Sequence, residues 1–233
     1  MPNLSPLPYR VLATDYDGTL ARQGRVSVEA VNELRRWKGA GGLVVLVTGR
    51  ELEELQRVFP SVSVCDLVIA ENGALIYRPA TGRIELLGER PPRVFVEELR
   101  RRGVNPLSVG RSIVSTVQPH GAAVREAIVD LKLSLQIIMN KESVMVLPAN
   151  IDKGTGLRAA LKELNVSPRD CVAVGDAEND LALFDAAGLG CAVLNSTKNL
   201  RARAAVKLEK PDYEGVCELL QNLMSGRLRR RVA

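Results

Sequence analysis

Apolar positions in the first part of the chain alternate between a strand pattern and a helix pattern. Short continuous runs of Val, Leu, Ile and Ala are typical of strands buried on both faces, and they cover residues 10–14, 43–47 and 67–70. Between them, apolar residues recur every three or four positions over residues 26–38 and 51–59, which predicts two amphipathic helices. Strands that alternate with helices in this way indicate a parallel sheet with helices on both faces.

The same alternation returns near the C-terminus. Helices are expected over residues 154–164, 180–187 and 214–224, and strands over residues 171–174 and 190–194. The two stretches together predict an α/β fold with a Rossmann-like parallel-sheet core.

A different pattern separates these two stretches. The turn sequence Pro79-Ala80-Thr81-Gly82 lies between two apolar segments and predicts a β-hairpin. The elements expected after it are, in order, a helix, a strand, a helix and two strands, over residues 93–102, 112–118, 121–131, 135–139 and 143–147. We therefore expect a core domain at residues 1–77 and 150–233, with an inserted α+β domain over residues 78–149.

Composition and charge narrow the classes of function. The chain has 233 residues, 46% of them hydrophobic, and no apolar run reaches the roughly 18 residues that cross a bilayer. Residues 1–6 lack the basic and apolar sections of a secretory signal, so a cytoplasmic protein is expected. The formal net charge is +5, with arginines clustered at residues 100–102 and 227–231. Because no aromatic residues interleave with these arginines to stack on bases, nucleic acid is not an expected partner.

Two carboxylates directly follow the first predicted strand. They stand in the sequence Asp15-Tyr16-Asp17-Gly18-Thr19, at the carboxyl edge of the sheet, where open α/β proteins bind ligands. Carboxylates suit Mg²⁺, Gly18 permits a close backbone approach, and the Thr19 hydroxyl can donate a hydrogen bond to a phosphate. Alone, the same pattern also occurs in calcium loops and in ordinary turns.

Three further polar segments lie at predicted element ends. Thr48 and Gly49 follow the second strand, where a hydroxyl and the backbone N–H groups that enter the next helix can seat a phosphate. Lys153 stands at the start of the helix after the insert. Residues 175–180 place three acids and an amide at the end of a strand, and a bound cation would relieve the repulsion between those acids. Taken singly, Thr48 reads as a capping turn and Lys153 as a surface lysine.

In order and context, these four segments resemble the motifs of the haloacid dehalogenase-like phosphatase superfamily, and the resemblance covers nearly the whole chain. The family's motifs are Asp-x-Asp-Gly-Thr, a Ser or Thr after a second strand, a Lys, and Gly-Asp-x-x-x-Asp, and each has a counterpart here. The position of the insert resembles the C2-type cap of the Cof-like (IIB) branch. Its small size is similar to archaeal-type phosphoglycolate phosphatases or to small sucrose-phosphatase-like members. The resemblance implies a Mg²⁺-dependent phosphatase whose cap closes over the site.

The resemblance also implies a role for each site residue. Asp15 would attack phosphorus and form an aspartyl-phosphate, while Asp17 would protonate the leaving alcohol and later take a proton from the attacking water. Mg²⁺ would bind Asp15, the backbone carbonyl of Asp17 and Asp176, with Asp180 in support. The residues expected at the phosphate are Thr48, Gly49, Lys153 and Asn179.

The substrate implied by the resemblance is a small phosphorylated metabolite, either phosphoglycolate or a sugar phosphate. Two other functions stay open at this stage. One is a phosphotransferase of the phosphomannomutase type, which has a related core and cap, and the other is a non-catalytic binding protein that kept the fold. No membrane partner is expected, and the sequence leaves monomer and homodimer open.

Overall fold

The computed structural model describes residues 7–140 and 142–228. The N-terminal segment 1–6, residue 141 and the arginines at 229–231 lie outside the described residues. Within the described part of the chain, no helix is both long enough and apolar enough to cross a bilayer.

The regular elements follow the alternation that the sequence predicts. The strands of the described residues are, in chain order, β1 (Val11–Asp15), β2 (Leu43–Val47), β3 (Leu67–Ala70), β4 (Leu75–Arg78), β5 (Arg83–Leu86), β6 (Ser108–Val109), β7 (Val114–Val117), β8 (Leu135–Asn140), β9 (Ser143–Pro148), β10 (Cys171–Gly175), β11 (Leu189–Ala192) and β12 (Val206–Lys207). The α-helices are α1 (Val28–Gly39), α2 (Leu52–Val58), α3 (Arg93–Arg101), α4 (Gly121–Asp130), α5 (Lys153–Glu163), α6 (Leu181–Asp185), α7 (Lys198–Arg203) and α8 (Asp212–Met224).

The larger sheet has eight strands in the order β12-β11-β10-β1-β2-β3-β4-β5. Neighbours from β12 to β3 pair in parallel, whereas β3 with β4 and β4 with β5 pair antiparallel. Strand β1 lies between β10 and β2, well inside the sheet. Its carboxyl end therefore opens at the middle of the edge where ligands bind in such sheets.

Both faces of this sheet are covered, which explains the continuous apolar runs. In β2, Val44 and Leu46 belong to the core on the side of α1 and α8. Val45 and Val47 point the other way and belong to the core on the side of α5 and α6. Successive residues of a strand face opposite sides, so a strand covered on both sides must be apolar throughout. The prediction of an α/β parallel-sheet core is confirmed.

The insert forms a smaller antiparallel sheet in the order β6-β7-β9-β8. Helices α3 and α4 pack on one face of it, where Phe95 and Val124 meet Val144 and Val146. The alternation along β7 and β9 directs Ser115 toward the opposite face, over the core domain. We call this second sheet with its two helices the cap.

The hairpin that begins the insert requires a correction. The predicted boundary at residue 78 assigned the strand after it to the cap, but β5 pairs with β4 and extends the larger sheet. Antiparallel pairing across the predicted turn at residues 79–82 keeps both strands in one sheet. The division of the chain into a core and a cap otherwise stays a prediction.

Candidate active site

The centre of the site is a buried lysine between two carboxylates. Asp15 is the last residue of β1, and Lys153 is the first residue of α5. Nζ of Lys153 donates a hydrogen bond of 2.5 Å to Oδ1 of Asp15 and one of 2.6 Å to Oδ1 of Asp180. All three side chains are buried, so these ion pairs are shielded from water.

Local sequence fixes the start of α5 and with it the position of Lys153. Oδ1 of Asp152 accepts a 2.7 Å hydrogen bond from the backbone of Thr155, and the Thr155 hydroxyl accepts one of 2.9 Å from the backbone of Asp152. This reciprocal cap starts helix α5 at one defined residue. Gly73 lies against the same turn with φ of 113°, and a Cβ there would collide with the Asp152 carbonyl.

A third carboxylate joins this group through the loop after β10. Oδ2 of Asp180 accepts backbone hydrogen bonds from Asp176 (2.9 Å) and Ala177 (3.1 Å), which fixes that loop. The side chain of Asp176 packs against Gly18, whose φ is 80° and whose Cβ, if present, would collide with Oδ2 of Asp176. As a result, carboxylate oxygens of Asp15, Asp176 and Asp180 lie within 4.8 Å of one another.

This group of acids fits a divalent cation. When all are ionised, three buried carboxylates face one buried ammonium, which leaves two negative charges in a shielded place. Carboxylate oxygens are the ligands that Mg²⁺ takes from proteins. Two buried oxygens near the strand ends, Oγ1 of Thr19 and Oδ1 of Asn179, also have no hydrogen-bond partner among the described residues. The donor set and these two oxygens agree with a site for Mg²⁺ and phosphate.

The same burial changes the proton affinities of the two central groups. Burial raises the pKa of Asp15 to about 8, since the attraction of Lys153 only partly opposes desolvation and the repulsion from Asp180 and Asp176 adds to it. Burial alone would lower the pKa of Lys153, but Asp15 and Asp180 outweigh that effect and raise it. Lys153 therefore stays charged, and a cation at Asp15 would favour the ionised carboxylate.

Asp17 lies apart from the acidic group and is held by Arg50. Nε and Nη2 of Arg50 donate hydrogen bonds of 2.6 Å and 2.8 Å to the two oxygens of Asp17. Nη1 of Arg50 bonds Glu54, and the guanidinium lies over the Tyr16 ring, 5.5 Å from its centre. The Asp17 side chain is 42% exposed, so it can reach a bound ligand. The family resemblance assigns Mg²⁺ binding to the backbone carbonyl of Asp17, and this role stays a prediction.

The predicted phosphate residues surround the same edge of the sheet. Thr48 is buried, and its hydroxyl accepts a hydrogen bond of 3.1 Å from the backbone of Arg50. Helix α2 begins at Leu52, within one residue of its expected start at residue 51, and Thr48 and Gly49 lie in the turn between β2 and this helix. Asn179 donates a 3.4 Å hydrogen bond to Asn72.

A cleft of about 500 Å³ opens between the core and the cap at this edge. Of the predicted site residues, its lining includes Asp15, Asp17, Gly49, Lys153 and Asn179. Thr48, Asp176 and Asp180 are buried and do not belong to that lining. The volume is in the range of small-molecule sites.

The cap contributes the opposite wall of the cleft. Ser115, Ser143 and Met145 face the core from β7 and β9. Asn140 at the end of β8 and Glu142 in the turn after it also line this wall. A Cβ at Gly49 would lie 3.3 Å from Sδ of Met145, so the cap rests directly on the phosphate turn.

A buried carboxylate of the core also holds the cap. The Glu71 side chain accepts three backbone hydrogen bonds from the cap, from Arg111 (2.9 Å), Ser112 (2.6 Å) and Ile113 (3.0 Å). Burial raises the pKa of Glu71, while these hydrogen bonds oppose the rise. Nη2 of Arg111 lies 2.6 Å from Glu53 on α2 and adds an exposed ion pair at the same junction.

Sequence reasoning did not single out three residues that shape this site. They are Arg50, which holds Asp17; Glu71, which holds the cap; and Asn195, whose side chain donates a 2.8 Å hydrogen bond to the carbonyl of Gly18. Glu71 directly follows a predicted strand and Arg50 stands three residues after another, which is the signal that could have marked them. Asn195 follows β11 after two apolar residues, and its partner is 177 residues away.

Known proteins resemble this chain over most of its length. A family model described as haloacid dehalogenase-like hydrolase matches residues 12–87 and 123–220. A phosphoglycolate phosphatase of Methanothermobacter thermautotrophicus is 28% identical over 92% of this chain and 99% of its own. Phosphoglycolate phosphatase 2 of Saccharolobus solfataricus is 30% identical over 95% of each chain. A solved sugar phosphatase of haloacid dehalogenase subclass IIB has a TM-score of 0.75 at 15% identity, over 91% of this chain and 98% of that one.

These matches agree with the order of the motifs and with the fold. The matched residues of the family model include Asp15, Asp17, Thr48, Lys153 and Asp176. The chain therefore belongs to the haloacid dehalogenase-like hydrolases, and the prediction of a phosphatase of this family with a Cof-like, IIB-type fold is confirmed.

Proposed function

We propose that the protein is a Mg²⁺-dependent phosphatase that hydrolyses a small phosphorylated metabolite through an aspartyl-phosphate on Asp15. The observation that carries this proposal is the arrangement of Asp15, Lys153, Asp176 and Asp180 next to a cleft that the cap covers. Phosphoryl transfer needs mainly positioning and neutralisation of charge, and this arrangement offers both.

In the proposed reaction, a carboxylate oxygen of Asp15 attacks phosphorus, and the bond from phosphorus to the leaving oxygen breaks. Asp17 donates a proton to that oxygen and takes one back from the water that hydrolyses the aspartyl-phosphate. Both oxygens of Asp17 accept hydrogen bonds from Arg50. One of these bonds must therefore open before Asp17 can pass its proton to the leaving group.

Asp15, Asp176 and the backbone carbonyl of Asp17 would hold Mg²⁺, and Asp180 would keep the loop of Asp176 in place. When bound, Mg²⁺ offsets the negative charge of the phosphoryl group and of its acidic neighbours. Lys153 lies 2.5 Å from Asp15, so its charge is close enough to act on a phosphoryl oxygen beside that carboxylate. Thr48, Gly49 and Asn179 complete the proposed phosphate site.

Two substrate classes have support. The relatives named phosphoglycolate phosphatase support phosphoglycolate. The cap wall supports a sugar phosphate, because Ser115, Ser143 and Asn140 offer hydroxyl and amide groups that can bond the hydroxyls of a sugar. The ratio of kcat/KM for phosphoglycolate and for hexose phosphates measures which class the cleft prefers.

The test is a panel of small phosphate esters assayed with and without Mg²⁺. Asp15→Asn keeps the size of the side chain but removes the nucleophile, so we expect turnover to fall by about 10⁴-fold or more while circular dichroism stays unchanged. Asp185→Asn is the matched control, because that carboxylate is exposed and lies outside the cleft. Near-normal hydrolysis by Asp15→Asn would refute the covalent mechanism.

A phosphotransferase is the competing activity. Stimulation by a sugar bisphosphate, with the phosphate retained in the product, would favour it over the hydrolase.

A further inference from the structure

A second cavity lies on the core domain, on the other side of Arg50 from the cleft. Its volume is about 650 Å³, and segments around Gly24, α1 and the end of α2 form its walls. Four of its lining residues are arginines, namely Arg25, Arg35, Arg50 and Arg57, and the lining contains no Asp or Glu. We call this cavity the arginine groove.

Three of these arginines have no acidic partner within the described chain. Arg35 donates a 3.2 Å hydrogen bond to the neutral side chain of Asn32, and no ion pair joins Arg25, Arg35 or Arg57 to a described carboxylate. The arginine groove thus concentrates positive charge that the protein does not itself neutralise.

The floor of the arginine groove is apolar. Val28 is 77% exposed, and it lies with Val31 and Phe59 among the lining residues. An exposed apolar side chain beside guanidinium groups offers a surface for a flat or apolar body, while guanidinium forks bind phosphate in pairs of hydrogen bonds. The cavity volume is in the range of sites for small organic ligands.

From this combination we propose that the arginine groove binds a small phosphate-bearing anion with an apolar or planar body, such as a nucleoside diphosphate. The phosphates lie against the guanidinium groups of Arg35 and Arg57, and the body lies against the exposed side chain of Val28. This site is distinct from the cleft, since Arg50 is the one arginine that belongs to both linings.

The shared residue couples the two sites. Arg50 holds both oxygens of Asp17 on the side of the cleft, and its Nη2 lies against Gly24, a lining residue of the groove. An anion in the groove competes with Asp17 for this guanidinium and loosens the two hydrogen bonds. Binding in the groove should therefore change the phosphatase rate. This consequence rests on the proposed function, whereas binding itself does not.

Binding is tested by calorimetric titration of the full-length protein with ADP, with adenosine and with inorganic phosphate. Arg35→Ala with Arg57→Ala removes two exposed guanidinium groups, and we expect ADP to bind about tenfold more weakly, as the loss of two exposed ion pairs implies. The matched control is Arg93→Ala with Arg100→Ala, which removes the same charge from exposed positions in a basic cavity of the cap. We expect the control to change ADP affinity by less than about twofold.

Several outcomes overturn the proposal. They are unchanged ADP binding in the groove variant, an equal loss in the cap control, and adenosine binding as tight as that of ADP, which would show recognition without the phosphates. The activity assay separates this site from the catalytic proposal. ADP should alter the hydrolysis rate of the wild type, and the Arg35→Ala, Arg57→Ala variant should need about tenfold more ADP for the same effect. The binding result does not depend on phosphatase activity.

Discussion

At the scale of single residues, the stability of the site depends on the ammonium group of Lys153. Lys153 is the only cation in hydrogen-bond contact with Asp15 and Asp180 within the described chain, and it is almost fully buried. Breaking a buried ion pair by removing one partner leaves the other charge without compensation. Lys153 is therefore a structural group as well as a proposed ligand of the phosphoryl oxygens.

We expect Lys153→Met to lower the free energy of unfolding by about 3–5 kcal/mol near pH 9, where the Asp15 carboxyl is ionised and the Lys153 ammonium is still charged. The loss should be smaller near pH 5, because carboxylates without a counter-charge in a buried place take up protons. Urea unfolding at the two pH values measures both effects. Lys38→Met is the control, since its pair with Asp66 is partly exposed and should contribute about 1 kcal/mol or less. Equal losses in the two variants would contradict a special role for Lys153.

Gly18 provides a second test at this scale, because its missing side chain leaves room for Asp176. Gly18→Ala places a Cβ at a φ of 80° and against the carboxylate of Asp176. We expect a loss of about 1–2 kcal/mol in the free energy of unfolding from the left-handed backbone, and about tenfold weaker Mg²⁺ binding from the displaced carboxylate.

The turn glycine Gly82 separates the two effects in Gly18→Ala. Its φ is 71°, but nothing lies within 4 Å of its Cβ position. Gly82→Ala should therefore show the backbone loss alone, with Mg²⁺ binding unchanged in calorimetric titration. If Gly18→Ala binds Mg²⁺ as tightly as Gly82→Ala does, Asp176 is not a ligand.

Single residues also show what the sequence could and could not predict. Asp15 and Asp176 were predicted because each stands at or just after the end of a strand, and parallel strands bring those ends together. Lys153 was predicted only through the family resemblance. The ion pair of Arg50 with Asp17 was not predicted, since it joins two separate strand ends through side-chain directions that spacing does not encode. The same holds for Glu71, whose partners are backbone groups of the cap.

At the scale of elements, the junction of core and cap depends on β3 and its following turn. The carboxylate of Glu71 accepts three backbone hydrogen bonds through its two oxygens. A glutamine at this position has only one oxygen that can accept, and its NH₂ group would face a backbone N–H donor. We expect Glu71→Gln to lower the free energy of unfolding by about 1–3 kcal/mol and to speed hydrogen exchange at residues 111–113.

Glu53→Gln controls for the loss of charge at the same junction. Its partner is the exposed side chain of Arg111, so its loss should cost less than about 1 kcal/mol and leave exchange at residues 112–113 unchanged. Faster exchange in both variants would indicate that the junction responds to net charge and not to the hydrogen bonds of Glu71.

Elements with a clear hydrophobic period were predicted, and short ones were not. The long helices α1, α5 and α8 and the runs of β1 and β2 begin or end within about two residues of their expected positions. Strands β6 and β12 have two residues each, which is too short for any period to appear. The sheet that β5 joins was missed because a turn sequence predicts the hairpin but not which domain pairs with it.

At the scale of the whole molecule, protonation of Asp15 should make the stability of the protein depend on both pH and metal binding. The pKa of this carboxyl rises from 3.8 to about 8 in the fold, so its contribution to stability is fully present below the lower value and is lost as pH rises through the higher one. Desolvation is the main cause, with Asp180 and Asp176 adding to it and Lys153 opposing it. The metal-free protein should therefore become less stable as pH rises between these values.

Mg²⁺ should reverse this trend, because the cation takes the place of the proton on Asp15. At a fixed Mg²⁺ concentration we expect a larger rise of Tm near pH 8.5 than near pH 6, since the cation displaces a proton at the lower pH. Asp15→Asn has no proton to displace at this position while keeping one side-chain oxygen, so its smaller Mg²⁺ shift should vary little with pH. Thermal unfolding followed by circular dichroism at both pH values, with and without Mg²⁺, measures the four shifts. If the Mg²⁺-induced shift of Tm depends on pH in the same way in the wild type and in Asp15→Asn, the proton that Mg²⁺ displaces does not come from Asp15. Another carboxylate of the acidic group would then be the principal ligand of Mg²⁺.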